Sequence, residues 1–585
     1  MHARAGLVVV AVLTTVFLGV LPVSSASAPL PQAAAGTVQG NPELPDLVTR
    51  FYRPSEPEAQ RIAGMSRAAF EERANRTEQF MKDLAAIDRD SLDTADRNDY
   101  DYFHAQLDNS LQMLRDIKVW QKRPSDYVPF NSFFAASLDE SVPWEDRYPQ
   151  MIGALTADLG DFDHARENLD GPPPLRIERA VTLVDNTLAY LDSEMLDIIA
   201  RAPNEAMARE MEQAAGTYRS KLEGYRTFLL EDLRPGDVGT LAVGEKEYLR
   251  LLRNHFLHYS VEELVAIGTR LYEETELLMQ QTAAAIDPTK TWQQLIEENR
   301  MDHPSPWALY SDLAKEAARA KTLVYDELVY VPDDVEEEYR YVKRAHPVTI
   351  PRGASGIGPF GFMHGNSYVG YYSLPSIDQY ETDRRKSEFM MDWSRAWYIA
   401  QQIPHEVYPG HHFSIFMTEK NPRPARRLGG SAPYTDVSST MSEGWCVYAE
   451  ELMYDYGYLN DEPRLFLGHL QHRLWRIARI ILDPQFHTGL IDYEYMVDFF
   501  EGTGTSRGQA HVEATQITNI PAHDVGYYVG VVEIKALIDE YRAIVGADLF
   551  DLREFHTTLL LGGNMPVALM RSEMLEHARV LAGQN

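Results

Sequence analysis

Pro404-His405-Glu406-Val407-Tyr408-Pro409-Gly410-His411-His412 places three imidazoles and a carboxylate within nine residues, with a proline and a glycine in their midst. Two histidines beside a glutamate are the donor set of a hydrolytic zinc site, in which the imidazoles hold the metal and the carboxylate handles a proton of its water. The usual His-Glu-x-x-His spacing puts both imidazoles on one helix face, four residues apart. Here the residue four after His405 is Pro409, which cannot ligate. His412, seven along, shares a face with His405 on an ideal helix but stands about 10 Å away. That is too far for one zinc, whose ligand atoms lie about 2 Å from the metal. His411, six along, would point to the far side of an unbroken helix. Pro409 removes a backbone donor, and Gly410 opens conformations that other residues avoid. Read as a two-residue insertion that bulges the helix, the pair turns His411 back toward His405. The expected ligands are then His405 and His411, with Glu406 as base and His412 as a supporting or substrate-contacting residue. Helix distortions of this kind concentrate at functional sites.

A gluzincin-type site takes its third ligand, a carboxylate, from a following helix. Glu443 and the pair Glu450-Glu451 are the candidates in Glu443-Gly444-Trp445-Cys446-Val447-Tyr448-Ala449-Glu450-Glu451-Leu452. Glu450 lies seven residues after Glu443, on roughly the same helical face. Glu443 is taken as the ligand, and Glu450 as a group that orients a histidine through its free ring nitrogen. Acidic residues are also favoured in a helix's first turn and on its solvated side, which is the competing reading for both.

Around this centre the chain of 585 residues, 44% hydrophobic, is long enough for a large core. Residues 7–21 form one apolar run behind Arg4, followed by Ser24-Ser25-Ala26-Ser27-Ala28. This reads as a secretory signal over 1–28 that is removed; an uncleaved anchor is the alternative. With no cysteine near that region, a lipid-modified terminus is not expected. Residues 29–44, rich in Pro, Gly, Ala and Gln, read as disordered. Residues 45–338 then follow helical periodicity almost throughout, including a cap at Ser260-Val261-Glu262-Glu263. Residues 339–375 change to Gly, Pro, Val and Tyr, with strand-like Tyr341-Val342, Val348-Thr349-Ile350 and Phe362–Tyr372. This tract is plain structural sheet or an edge strand beside a cleft. Helices resume at Ser387–Gln402, Glu443–Tyr456, Pro463–Leu482, Tyr493–Gly502, Val529–Val545 and His556–Leu561. The expected class is mainly α, a large zincin-like body with a small β element. The span 339–585 joins 45–338 in one catalytic unit.

The net charge of −32 disfavours nucleic acid and anionic membrane surfaces by repulsion. The single cysteine, Cys446, lies between Trp445 and Val447 and reads as a small buried hydrophobe.

The chain resembles the bacterial family known as domain of unknown function 885, a zincin-like relative of mostly helical peptidases. The resemblance rests on His405–His412, on Glu443, Gly444, Trp445, Tyr448, Glu450 and Leu452, and on Phe555-His556-Thr557-Thr558-Leu559-Leu560-Leu561-Gly562. Two strings depart from the family pattern. Arg479-Ile480-Ile481-Leu482-Asp483-Pro484-Gln485-Phe486-His487 lacks its Thr-Gly, and Pro521-Ala522-His523-Asp524-Val525-Gly526-Tyr527 retains only Pro521 and Tyr527. The resemblance implies hydrolysis of an amide at a Zn2+ centre, with Glu406 as base. Tyr527, Tyr528, His487 and His523 are the candidate oxyanion donors, Tyr527 and His487 being favoured because the resemblance retains them. Arg479 either binds a substrate carboxylate or pairs with Asp483 four residues on. The expected function is a secreted zinc metallopeptidase of short peptides, carboxypeptidase- or dipeptidase-like. The alternatives are an inactive peptide-binding protein of the same fold, or a hydrolase of another amide or an ester. No nucleic-acid partner is expected, and no membrane partner once the signal is removed.

Overall fold

Helices carry most of the described chain because its apolar residues recur at three- and four-residue intervals. The structure is a computed structural model and describes residues 43–138, 142–236, 241–305, 307–332, 336–344, 357–364, 367–375 and 390–583. The expected signal at 1–28, the strand at Val348-Thr349-Ile350 and the first residues of the Ser387 helix lie outside these. Of the segment 29–44 expected to be disordered, residues 29–42 also lie outside these, and its last two residues are helical. A helix opens at Glu43 and buries Leu44, Leu47, Val48 and Phe51.

Residues 70–229 build one apolar cluster, with Trp120, Tyr127, Tyr148 and Tyr218 at its centre. A second, larger cluster begins at Leu44 and ends at Ala578, so helices from both halves of the chain share it. The described residues thus mix early and late sequence in one core.

Helix α1 (Val261–Ile286) starts at Ser260, whose hydroxyl accepts from the Glu263 amide while the Glu263 carboxylate reaches back, so the cap read from sequence is present. It packs along the later helix Pro463–His487. Gly268 permits the contact, since a Cβ there would sit 2.7 Å from Ile481 Cγ1. Helix α2 (Leu309–Leu323) leads toward a three-stranded sheet of β1 (Glu336–Arg344), β2 (Ile357–His364) and β3 (Ser367–Pro375). Its order is β1-β3-β2, with β1 parallel and β2 antiparallel to β3. The strand-like signal at 341–342 falls on β1, and that at 362–372 falls on β2 and β3 except for residues 365–366, which lie outside the described residues.

Six helices form the site and its walls: α3 (Ile403–Glu406), α4 (His411–Thr418), α5 (Ser439–Asp455), α6 (Pro463–His487, the partner of α1), α7 (Arg507–Asn519) and α8 (Gly526–Val545). Helix α7 is absent from the sequence reading. Its buried face is Ala510, Glu513, Ala514 and Ile517, and such small and charged residues leave little apolar periodicity. Among the described residues no helix is long and apolar enough to cross a membrane.

Candidate metal centre

The helix carrying His405 does not bulge; it stops. The peptide between Tyr408 and Pro409 is cis. Val407 and Tyr408 both donate to the Ile403 carbonyl, at 3.0 and 3.1 Å, which closes α3. Phe413 then donates to Val407 across the turn, and Ser414 to Gly410, which starts α4. Gly410 is required at this crossing, because a Cβ there would lie 1.8 Å from the His405 carbonyl oxygen. The expected bulge is therefore corrected to a tight turn between two short helices. The turn still brings His405 and His411 together, with ring centroids 5.0 Å apart and planes at 85°.

Glu443 in the first turns of α5 completes the group. Its Oε2 lies 3.4 Å from His405 Nε2 and 3.2 Å from His411 Nε2. Three ligand atoms of these side chains lie within 4.8 Å of one another. Glu443 Oε2 is buried without a hydrogen bond of acceptable geometry, so the atoms converge on a shared point rather than on each other. Ligands about 2.0–2.1 Å from one tetrahedral metal stand about 3.3–3.4 Å apart, and the donor set His, His, Glu is that of a catalytic zinc. The residues fit a metal ion. Burial opposes ionisation of Glu443, yet His411 and His405 hold its carboxyl well below the usual range.

Behind the ligands, Glu450 Oε1 lies 2.9 Å from His405 Nδ1, the contact that fixes a ligating imidazole's ring and tautomer. Burial disfavours the His405 cation, but Glu443 and Glu450 outweigh it and raise the group to about 9. Helix α8 approaches α5 closely, since a Cβ on Gly444 would sit 2.6 Å from Gly530 Cα. Gly444, next to Glu443, thus lets α8 and the turn before it bring Tyr527 and His523 toward the centre. His523 Nε2 is 3.8 Å from Glu443 Oε1. Burial lowers the His523 pKa, but neighbouring Glu443 and Asp436 raise it to about 9. The Tyr527 ring lies parallel to that of His405, 6.2 Å away.

Glu406 and Tyr527 line a cavity of about 570 Å³, together with His405, Trp397, Arg476 and Arg479. The volume is within the range of small-molecule sites.

The structure separates other expected residues from this centre. His412 is wholly buried, with Nε2 2.6 Å from Glu337 Oε2 on β1, so it touches no substrate and holds the turn to the sheet. His487, expected as catalytic, lies elsewhere: its Nε2 is 3.0 Å from the Ile517 carbonyl and its ring stacks on Tyr248. Burial depresses it to about 3, leaving a neutral core histidine. Tyr528 donates to Glu451 at 2.5 Å and points away from the ligands. Arg479 does not pair with Asp483. It donates to Glu513 of α7 through Nε and Nη2, and its guanidinium lies 4.4 Å from the Tyr527 ring centroid. Asp483 is buried and accepts from the Ala522 amide; burial raises it to about 8. Cys446 is fully buried, as expected.

Two participants escaped the sequence reading. Glu337 accepts from Tyr408 (2.7 Å) and Tyr325 (2.8 Å) and pairs with Lys321 of α2 at 2.5 Å as well as with His412. Burial works against its charge, but His412 and Lys321 bring it down to about 2. It sits in an acidic Glu336-Glu337-Glu338 run that reads as a solvated edge, and no local signal separates the middle residue. Glu513 is hidden by the weak periodicity of α7.

A mainly helical chain whose His405, His411 and Glu443 converge from two short helices and a longer one is the class these observations define. The chain belongs to the family described as bacterial protein of unknown function (DUF885), which it matches over residues 48–574. No curated protein matches it. Two solved structures share the fold. One, described as a lipoprotein of unknown function from Shewanella oneidensis, is 19% identical with a TM-score of 0.66, covering 91% of this chain and 97% of its own. The other, described as a lipoprotein from Colwellia psychrerythraea, is 18% identical with a TM-score of 0.70, covering 92% and 99%.

Proposed function

We propose that this protein is an extracytoplasmic zinc-dependent metallohydrolase of zincin type that cleaves amide bonds in short peptides. The observation that carries the reading is the convergence of His405 Nε2, His411 Nε2 and Glu443 Oε2, with Glu406 beside them on a cavity. A zinc ion bound there supplies Lewis acidity toward a carbonyl and a more acidic water. Glu406 accepts the proton of the attacking water and returns it to the leaving amine. The Tyr527 hydroxyl and the His523 imidazole are the donors toward negative charge developing on the carbonyl oxygen. Glu450 keeps His405 in register through Nδ1. The extracytoplasmic location is supported by the apolar N-terminal run and by the lipoprotein descriptions of the two relatives in fold.

A retained Glu406 favours catalysis over passive binding, because ligation does not need it. Elemental analysis of the purified chain, followed by digestion of a peptide library, tests the reading. One equivalent of zinc and cleavage abolished by chelation are expected. A chain that binds no divalent metal, or that leaves the library intact when zinc-loaded, overturns it.

A further inference from the structure

The cavity beside Glu406 holds two arginines on α6, and their surroundings differ. Arg479 is largely committed: Nε and Nη2 both donate to Glu513 Oε2, at 3.1 and 2.6 Å, and Asp524 lies 3.9 Å away, so that only Nη1 lacks a partner. Arg476 is equally buried, at 4% exposure, but its nearest carboxylate oxygen, Glu450 Oε1, is 3.5 Å from Nη2. Its Nε and Nη1 have no hydrogen-bond partner. Glu450 Oε1 is also the atom engaged by His405 Nδ1, so Arg476 shares its counter-charge with a candidate metal ligand.

Apart from Glu406, the acids lining the cavity are already matched. Glu513 is held by Arg479 and the Trp475 indole, and Asp392 lies 3.2 Å from Arg300. Arg476 lines the cavity, and its buried guanidinium keeps two donors, Nε and Nη1, without a partner; such a fork matches both oxygens of a carboxylate. The Gln402 side-chain Nε2, in the same wall, also lacks a partner. Trp397 and Trp475, stacked 5.9 Å apart, give the cavity an apolar side.

We infer that Arg476 is the receptor for the free C-terminal carboxylate of a short peptide, so that the enzyme removes residues from that end. The inference rests on the hydrolase reading above and adds its direction. A single carboxylate oxygen separates the guanidinium from His405. A substrate anchored there presents its bond one or two residues from its terminus, at about 3.3–3.6 Å of extended chain per residue. Arg476 thereby replaces Arg479, the arginine singled out from sequence, as the anion-binding group.

The test uses N-acetyl-glycyl-phenylalanine and its C-terminal amide, titrated calorimetrically into the zinc-loaded Glu406→Gln chain so that turnover does not interfere. The acid is expected to bind about tenfold or more tightly than the amide. In Arg476→Gln the difference should fall to near parity, with Arg476→Lys between. Equal binding of acid and amide by the Glu406→Gln chain overturns the inference, as does an acid preference that survives in a folded Arg476→Gln chain. Should Arg476→Gln fail to fold, the acid-to-amide ratio in the parent decides. Cleavage is a separate readout. Acid preference without cleavage of any peptide removes the hydrolase reading and leaves the carboxylate site; equal cleavage of acid and amide substrates does the reverse.

Discussion

The Trp445 indole N–H donates to the Pro409 carbonyl across 2.8 Å, tying the helix of Glu443 to the turn between His405 and His411. Trp445 is fully buried, and His556 packs edge-on against it at 5.4 Å while lying 2.9 Å from the Tyr448 hydroxyl. The three sequence strings that carry the family resemblance are therefore one stack. The His-His turn rests on Trp445, and Trp445 rests on the Phe-His helix.

Trp445→Phe keeps an aromatic ring but leaves the Pro409 carbonyl without its donor. An unpaired buried acceptor costs about 1–3 kcal/mol, and the smaller ring adds a cavity. Chemical denaturation should show that loss, and competition with a chelator should show weaker zinc binding. Unchanged metal affinity in the folded variant would mean that the turn does not need this tie.

His411→Ala and His412→Ala should part company. The first removes a candidate ligand that is partly accessible and should abolish zinc binding with little loss of fold. The second removes a hydrogen-bond partner of buried Glu337, which keeps Lys321, Tyr325 and Tyr408, and should cost about 1–3 kcal/mol while the folded chain keeps its metal. Zinc content and urea midpoints of the two variants give the comparison. Retention of zinc by His411→Ala and its loss from a stably folded His412→Ala would reverse the assignment.

Glu406→Gln should keep zinc and lower peptide hydrolysis by about 10²–10⁴-fold, the usual contribution of a positioned base. A variant with near-parent turnover would place the base elsewhere.

Asp483 provides a pH prediction away from the ligands. Burial raises it to about 8 in the fold, against about 3.9 in an unfolded chain. Between these values the folded state holds a proton that the unfolded state has released. Its contribution to stability is complete below about pH 4 and is lost as pH rises toward 8. Asp483→Asn should remove this decline, so that the variant gains on the parent between pH 5 and pH 8 in urea titrations. A parallel pH dependence for the two chains would show that Asp483 is ionised in the fold.

Much of the candidate centre was legible from local spacing. His405, His411 and Glu443 could be chosen because Pro409-Gly410 forbids an ordinary helix, and Glu450 followed from sharing a helical face with Glu443. The form of the distortion was not legible. A bulge and a helix break both reverse the chain, and the choice of a break depends on the hydrogen bonds that Val407 and Tyr408 make to the Ile403 carbonyl and on the close approach of Gly410 to the His405 carbonyl.

His487 shows the limit of motif transfer. Its letter matches the family string, but its position on α6 sends it into the core against Tyr248 rather than to the ligands. Glu337, Arg476 and Glu513 lay beyond reach for a related reason. Each acts through a partner 26 to 75 residues away or on another helix, and local patterning carries no information about such pairs. Residue types, helical period and the Pro-Gly interruption follow from short-range sterics, so the amino-acid order contains them. Which buried charge meets which is settled when α5, α6 and α8 pack, because desolvated groups must find their partners across helices rather than along them.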